Sequence, residues 1–284
     1  MIHVIIAVHN RLSLTLNCLA SLKLQKNFQE LNIIIVDDGS TDGTYEHIKK
    51  NFPNITILKG TGFLFSAGCF HYGVEHVLKT CKPNDWFLLV SNDSEVAPNT
   101  IDELINISKS RNRRVLVGAL TVNLDDKESI IRSGTIMKSW FLNKTKHVFE
   151  GLRIDQIIDK TPIEVDFIPG RCLLHPIEMF ETVGNYDSKT FKHYGNDEEF
   201  SIRAKKFGYT SLLCPSAITY VRFNEEIVPI KISIKYFFHT LFSERSSANI
   251  VDKFKLSIKV APIHAKLTFF IIGVLKSLYF FIKK

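Results

Sequence analysis

The run Ile33-Ile-Ile-Val-Asp-Asp-Gly-Ser-Thr-Asp42 constrains the fold of this chain more than any other segment. Four apolar, β-branched residues end in two carboxylates, a glycine and a Ser-Thr-Asp cluster able to cap a helix. That pattern reads as a buried strand followed at once by a turn and a helix. In an open α/β sheet, ligands bind at the carboxyl ends of the strands. Asp37 and Asp38 are therefore placed to meet a ligand, although either could instead cap the helix that follows.

The same grammar recurs. Strand Ile2 to Val8 precedes a helix over Leu12 to Leu22, and strand Ile33 to Val36 a helix from about Asp42 to Asn51. Strand Ile55 to Leu58 leads through a glycine-bearing loop into a helix near Gly68 to Lys79. Strand Trp86 to Val90 ends at Ser91-Asn92-Asp93, Pro98 opens another helix, and strand Val115 to Leu120 follows. Alternation of this kind predicts an α/β protein with a mostly parallel, doubly wound, Rossmann-like sheet. From 121 to 175 the helical period fades and short strands are expected. Pro176 is read as starting a helix, Asn196 to Phe207 as another, and Tyr209 to Leu213 as a last strand.

Beyond about residue 225 the composition changes. Ile227 to Phe242 carries apolar residues at helical spacing, with Lys231, Lys235 and His239 on another face, which predicts an amphipathic helix packed on the domain. After Asp252 there is no acidic residue, and Lys253, Lys255, Lys259, Lys266, Lys276, Lys283 and Lys284 account for the whole net charge of +7. Charge confined to a tail argues against nucleic-acid binding. The tail also reads Leu267-Thr-Phe-Phe-Ile-Ile-Gly-Val-Leu-Lys-Ser-Leu-Tyr-Phe-Phe-Ile282. As a helix this spans roughly 24 Å, short for a hydrocarbon core of about 30 Å. Residues 253–284 are thus expected to lie on an anionic membrane surface; the alternatives are a helix packed on the domain or an oligomer contact. Two parts are expected, 1–224 and a helical extension over 225–284. Five scattered cysteines without CxxC spacing fit free thiols. A first strand with no basic-then-apolar leader points to a cytoplasmic protein, peripheral on the inner face of the membrane.

Carboxylates at strand ends can hold a hard cation such as Mg²⁺ or Mn²⁺. Neither GxGxxG after the first strand nor GxxxxGK[ST] is present, so the usual dinucleotide and ATP loops are absent. Six ordered segments nevertheless carry a resemblance: Ala7-Val-His-Asn-Arg11, Ile35 to Asp42, Gly60 to Gly73, Leu88 to Val96, Gly170 to Pro176 and His193 to Tyr209. Together they resemble the motifs of family 2 glycosyltransferases over residues 1 to 222. Gly60-Thr-Gly-Phe-Leu-Phe-Ser-Ala-Gly68 and Tyr194-Gly-Asn-Asp-Glu-Glu-Phe-Ser-Ile-Arg203 look most like bacterial enzymes of O-antigen and related surface glycans, including rhamnosyltransferases.

The resemblance implies the GT-A fold and inverting transfer from a nucleotide-diphosphate-sugar to a glycan, free or lipid-linked. By the same resemblance Val8, His9, Asn10 and Arg11 line the nucleotide pocket, and Asp37, with Asp38 beside it, accepts from base or ribose. Loop 60–68, with Gly62, Ser66 and Gly68, closes on the ribose and diphosphate. Ser91-Asn92-Asp93 takes the place of the DxD motif, with Asn92 on the donor and Asp93 facing Mg²⁺ or Mn²⁺. Asp197 is the general base, and Gly170, Arg171 and Asn196 lie by the acceptor. Three positions depart from the pattern: Ser91 replaces a carboxylate, Asn196 a glutamate, and Tyr220 and Arg222 stand where a late histidine is usual. Arg222 could take diphosphate charge in its stead. Two rival readings are a nucleotidyltransferase, which would need a glycine- and lysine-rich activating loop, and a catalytically degenerate scaffold.

Overall fold

Apolar runs become strands, and the chain lays them down in the order the sequence predicts. The computed structural model describes residues 1–222 and 234–282. Its first half runs β1 (Ile2–Val8), α1 (Leu12–Lys23), β2 (Leu31–Asp37), α2 (Thr44–Asn51), β3 (Thr56–Lys59), α3 (Phe65–Leu78), β4 (Trp86–Ser91), β5 (Ser94–Val96) and α4 (Thr100–Ser110). Five short strands and one long one follow: β6 (Val115–Asn123), β7 (Ile130–Arg132), β8 (Thr135–Ser139), β9 (Lys144–His147), β10 (Ile163–Val165) and β11 (Cys172–Pro176). The chain continues through α5 (Met179–Thr182), α6 (Asn196–Lys206) and β12 (Thr210–Val221) to α7 (Ile234–Phe242), α8 (Ile250–Val260) and α9 (Lys266–Ile282).

One sheet has the order β10-β12-β6-β11-β4-β1-β2-β3, with β5 on β12 and β7 on β6. Parallel pairs join β1 to β2 and β4, β2 to β3, and β6 to β12. β11 is antiparallel to both β4 and β6, so it enters the sheet from the edge at which its neighbours end. The fold is therefore α/β with a mostly parallel sheet, of the GT-A kind, followed by C-terminal helices.

Strand side chains alternate between faces, and the core divides accordingly. Ile5, Ile34, Val36, Phe87 and Leu89 join Val74 and Val77 of α3 and Phe200 of α6 on one face. Val4, Ile6, Ile33, Ile35, Leu88 and Val90 join Leu19 and Leu22 of α1 and Leu104 of α4 on the other. Burial on both faces is why these parallel strands read as continuous apolar runs. Gly73 lets α3 lie close on β1, since a Cβ there would come 2.6 Å from Ile5 Cγ2.

One helix start and one strand end differ from the sequence reading. Pro176 does not start a helix; it closes β11 opposite Trp86, and the next helix begins at Met179. β12 does not stop near Leu213 but continues to Val221, its register against β6 shifting between Cys214 and Ile218. A proline cannot donate to a ladder, and the bulge carries Pro215 past the partner strand. The expected boundary at 224/225 and residues 227–233 of the expected amphipathic helix lie outside the described residues.

The extension packs on the domain. Val260, Ala261 and Phe269 share an apolar cluster with Phe167 and Ile202, and Trp140 rests against Phe269 at 5.6 Å between ring centres. In α9, Phe269, Gly273 and Ser277 mark the buried line, continuing from Ala265 just before the helix, while Leu267, Ile271, Leu275 and Tyr279 are exposed. The two sets are offset by two residues, about 200° around the helix, so they occupy opposite faces. Three of the tail lysines contact the domain, although Lys259 and Lys276 remain exposed. Lys255 Nζ donates to Thr190 O at 3.0 Å, Lys259 pairs with Asp187 at 2.9 Å, and Lys276 reaches Asn143 O. Among the described residues no helix is long and apolar enough to cross a membrane.

Candidate active site

At the carboxyl end of β1, Val8 sits level with Asp37 of β2. Here the chain turns sharply: Asn10 and Arg11 both adopt left-handed backbone, with φ of 59° and 65°. The turn is held from β2. His9 Nδ1 bonds Asp38 O at 2.7 Å, Asn10 N donates to Ser40 Oγ at 2.7 Å, and Thr41 N donates to Asn10 Oδ1 at 2.8 Å.

Asp37 and Asp38 differ in what they have left to offer. Asp38 accepts from Gly62 N at 2.7 Å and Phe65 N at 2.9 Å, one bond on each oxygen. It thereby fixes loop 60–65 and the start of α3, where Gly68 is buried. Asp37 accepts from Ser40 N through Oδ1, whereas its buried Oδ2 has no hydrogen-bond partner. A buried acceptor with nothing to accept is costly unless a ligand supplies the donor. Ser66 Oγ lies 3.2 Å from His193 Nδ1, joining the first turn of α3 to the segment ahead of α6.

β4 ends at the same edge. Asn92 is buried, with Nδ2 3.4 Å from Thr15 Oγ1. Asp93 is half-buried, and its Oδ2 faces the Arg11 guanidinium at 3.8 Å. No group of three or more His, Cys, Asp or Glu able to hold a metal occurs among the described residues. Asp93 alone fits a cation shared with phosphate oxygens, in the way Mg²⁺ is usually bound, rather than a cage of protein ligands. Arg222 follows β12, whose Val221 lies level with Ser94, and its Nε is 3.1 Å from Asp125.

The reversed strand β11 brings Gly170 and Arg171 to this edge, where Arg171 O accepts from Ser91 N at 3.0 Å. α6 starts at Asn196, which is buried, behind Gly195 at φ 88°. Asp197 Oδ2 accepts from Gly170 N at 2.9 Å, and its buried Oδ1 has no hydrogen-bond partner. A Cβ at residue 170 would lie 2.8 Å from that Oδ1, so the missing side chain leaves the oxygen room. Burial raises the Asp197 pKa to about 6, against the opposing pull of the Gly170 N–H and the Arg171 charge. Asp197 sits in the first turn of α6, where the helix end would favour its ionised form, but desolvation is the larger effect.

Asp197 opens onto a cavity of about 880 Å³ between the sheet domain and α7 to α9. Its walls include Asn196, His193, Arg245, Lys253 and Lys276. Burial lowers the His193 pKa, and Arg245 from the extension and Arg11 from the first turn add to that shift. His193 therefore feels both sides of the site, linking the edge at Asp93 to the cavity. None of His193, Arg245, Lys253 and Lys276 was expected at the site from sequence. His193 opens the His193 to Tyr209 motif without a role of its own, Lys253 and Lys276 were expected at a membrane surface, and tertiary packing brings them and Arg245 to the cavity.

Comparison with known proteins agrees with this architecture. The family model described as "Glycosyl transferase family 2" matches residues 3–171. An N-acetylglucosaminyl-diphospho-decaprenol L-rhamnosyltransferase of Mycobacterium tuberculosis is 27% identical over 217 residues, covering 70% of this chain and 68% of that protein. The crystal structure of GalNAc-T7 with UDP, GalNAc and Mn²⁺ superposes with a TM-score of 0.62 at 16% identity, over 82% of this chain; the match spans 46% of that longer chain. The mannosyltransferase PcManGT of Pyrobaculum calidifontis, in complex with GDP-Man and Mn²⁺, gives a TM-score of 0.59 at 12% identity over 98% of this chain and 73% of its own.

Proposed function

The chain belongs to glycosyl transferase family 2 and is a glycosyltransferase; from that premise we propose that it transfers a sugar, with inversion, from a nucleotide-diphosphate-sugar to a lipid-linked glycan. The observation that carries this reading is Asp197. One of its oxygens is pinned by Gly170 N, and the other is buried and unmatched on a residue that lines a large cavity. A general base needs that arrangement: a fixed carboxylate with a bare oxygen, whose pKa of about 6 leaves it ionised near neutrality yet more basic than a solvated aspartate.

On this reading Asp197 Oδ1 accepts the proton of an acceptor hydroxyl in the cavity. The freed oxygen attacks the anomeric carbon from the face opposite the diphosphate, which inverts that centre. Asp37 Oδ2 accepts from the base or ribose, and Asp38 holds loop 60–65 over the donor. Arg11 lies where charge builds on the departing diphosphate. Asp93, with the diphosphate oxygens, would hold a Mg²⁺ or Mn²⁺ ion that neutralises that charge. The decaprenol-linked substrate in the name of the mycobacterial relative supports a lipid-linked acceptor. We place the enzyme at the cytoplasmic face of a membrane in surface-polysaccharide synthesis, docked through the outward line Leu267, Ile271, Leu275 and Tyr279.

The test is turnover by the full chain with a panel of UDP-, dTDP- and GDP-sugars and polyprenyl-diphosphate-linked acceptors, with Mn²⁺, Mg²⁺ or a chelator. Transfer with inverted anomeric configuration is expected, lost on chelation. A retained configuration would overturn the role of Asp197, and nucleotide binding without any transfer would favour a scaffold.

A further inference from the structure

The extension does more than close the cavity: it brings ammonium groups to it. Lys253 of α8 and Lys276 of α9 both line the cavity on the wall across from the sheet domain, which carries Asp197. Lys253 is half-buried. Burial lowers its pKa, Lys276 pushes the same way, and Glu198 opposes. Gly273, one turn before Lys276, leaves open the place where these groups meet. A Cβ there would lie 3.1 Å from Asn143 Nδ2 and 3.8 Å from Lys253 Cδ. Two ammonium groups near each other, one of them partly desolvated, disfavour the charged forms unless an anion is present. The cavity lining sets Arg245, Lys253 and Lys276 against the carboxylates Asp197 and Glu198, which leaves a surplus of positive charge.

We propose that Lys253 and Lys276 form the subsite for the phosphate group of a lipid-linked acceptor, holding it across the cavity from the base. The proposal rests on the transfer reading above and deepens it. Its geometry follows from α9. One face of that helix borders the cavity, and the opposite face carries the exposed line Leu267, Ile271 and Leu275. The subsite is therefore one helix diameter, about 10 Å, from the surface turned to lipid. In a polyprenyl-phosphate-linked glycan the phosphate lies between lipid and sugar. Held at Lys253 and Lys276, it would leave the lipid on the side of the exposed line and the sugar hydroxyl in the cavity near Asp197. Ammonium groups recognise phosphate by charge-assisted hydrogen bonds, which do not depend on the glycan's identity.

Binding of farnesyl diphosphate, inorganic pyrophosphate and the nucleotides UDP, dTDP and GDP would be measured by calorimetry on the full chain. For farnesyl diphosphate, Lys253→Gln combined with Lys276→Gln should weaken binding at least about tenfold, as expected for loss of paired charges. Affinity for whichever nucleotide the wild type prefers should stay within about twofold. Since Lys276 also bonds Asn143 O, Lys253→Gln alone gives a second measure and should show part of the loss. Lys253→Arg should retain the affinity. Unchanged farnesyl diphosphate binding in both variants overturns the subsite. So does inorganic pyrophosphate binding with the same affinity and the same lysine dependence, which would mark a site for free diphosphate. Failure of the transfer reading would show differently, as a wild type that binds none of the three nucleotides.

Discussion

Asp38 and Asp197 stand on the same edge of one sheet and are in opposite physical states. On the donor side, both oxygens of Asp38 are taken by backbone N–H groups, and the carboxylate is part of the scaffold. On the acceptor side, Asp197 has one oxygen held and one buried without a partner, and burial raises its pKa to about 6. Asp38 is satisfied before any ligand arrives, whereas Asp197, like Asp37 Oδ2 beside Asp38, keeps an unmatched oxygen in reserve. Stability and reactivity are thus separated by position, and a buried polar atom left bare is where a hydroxyl can be engaged.

The strongest way to break this contrast is Asp197→Asn. Turnover should fall by at least about 100-fold, within the usual contribution of a general base, while nucleotide affinity stays near wild type. The same change should stabilise the protein. The folded pKa is raised above the unfolded one, so the charged form carries a penalty that is absent below about pH 4, grows between pH 4 and 6, and is full above. Asn should recover on the order of 1–3 kcal/mol at pH 7 and nothing at pH 3.5. In the wild type, log kcat/KM should fall by about one per pH unit below pH 6. Chemical denaturation and a pH–rate profile check both, and an Asp197→Asn protein with most of its activity removes this residue from the mechanism.

Asp38→Ala should do the reverse. It leaves the Gly62 and Phe65 N–H groups without their acceptor, so the fold should lose about 2–4 kcal/mol, with weaker nucleotide binding as loop 60–65 loosens. A stable variant that fails only in turnover would show that Asp38 is no more structural than Asp197. The smallest effect concerns the extension. Replacing Leu267, Ile271 and Leu275 together by serine should reduce flotation with anionic vesicles about tenfold or more, from lost apolar burial. High salt should change wild-type flotation little, because Lys255, Lys259 and Lys276 contact the domain. Release by salt alone would return the lysines to the membrane face.

The strand order and the edge where chemistry gathers were legible because parallel strands buried on both faces leave long apolar runs that end in Asp37 and Asp93. The Asp197 segment was legible as the first turn of a helix. What sequence could not convey was long-range. The raised Asp197 pKa comes from burial under other elements. The contacts of Lys255, Lys259 and Lys276 depend on Thr190, Asp187 and Asn143, far away in the chain. Pro176 suggested a helix start because proline is a local punctuation mark, and only the neighbouring strand β4 reveals that it closes a ladder instead.

The reversed strand β11 also decides how the molecule tolerates damage. Everything needed for β3, β2, β1 and β4 lies within the first 91 residues, and β6 pairs with β12 on its own account. These two slabs meet at β11, whose residues Cys172 to Pro176 run antiparallel to β4 and of which Leu173 and Leu174 also pair with β6, and at β5, which pairs with β12. Loss of an outer strand would fray a margin. Loss of this one would part the sheet at its middle, and the parting line runs between Asp93 and the remaining half of the site. The strand that joins the slabs also follows Gly170 and Arg171 of the site, which leaves those five positions answerable to mechanical integrity and to chemistry at once.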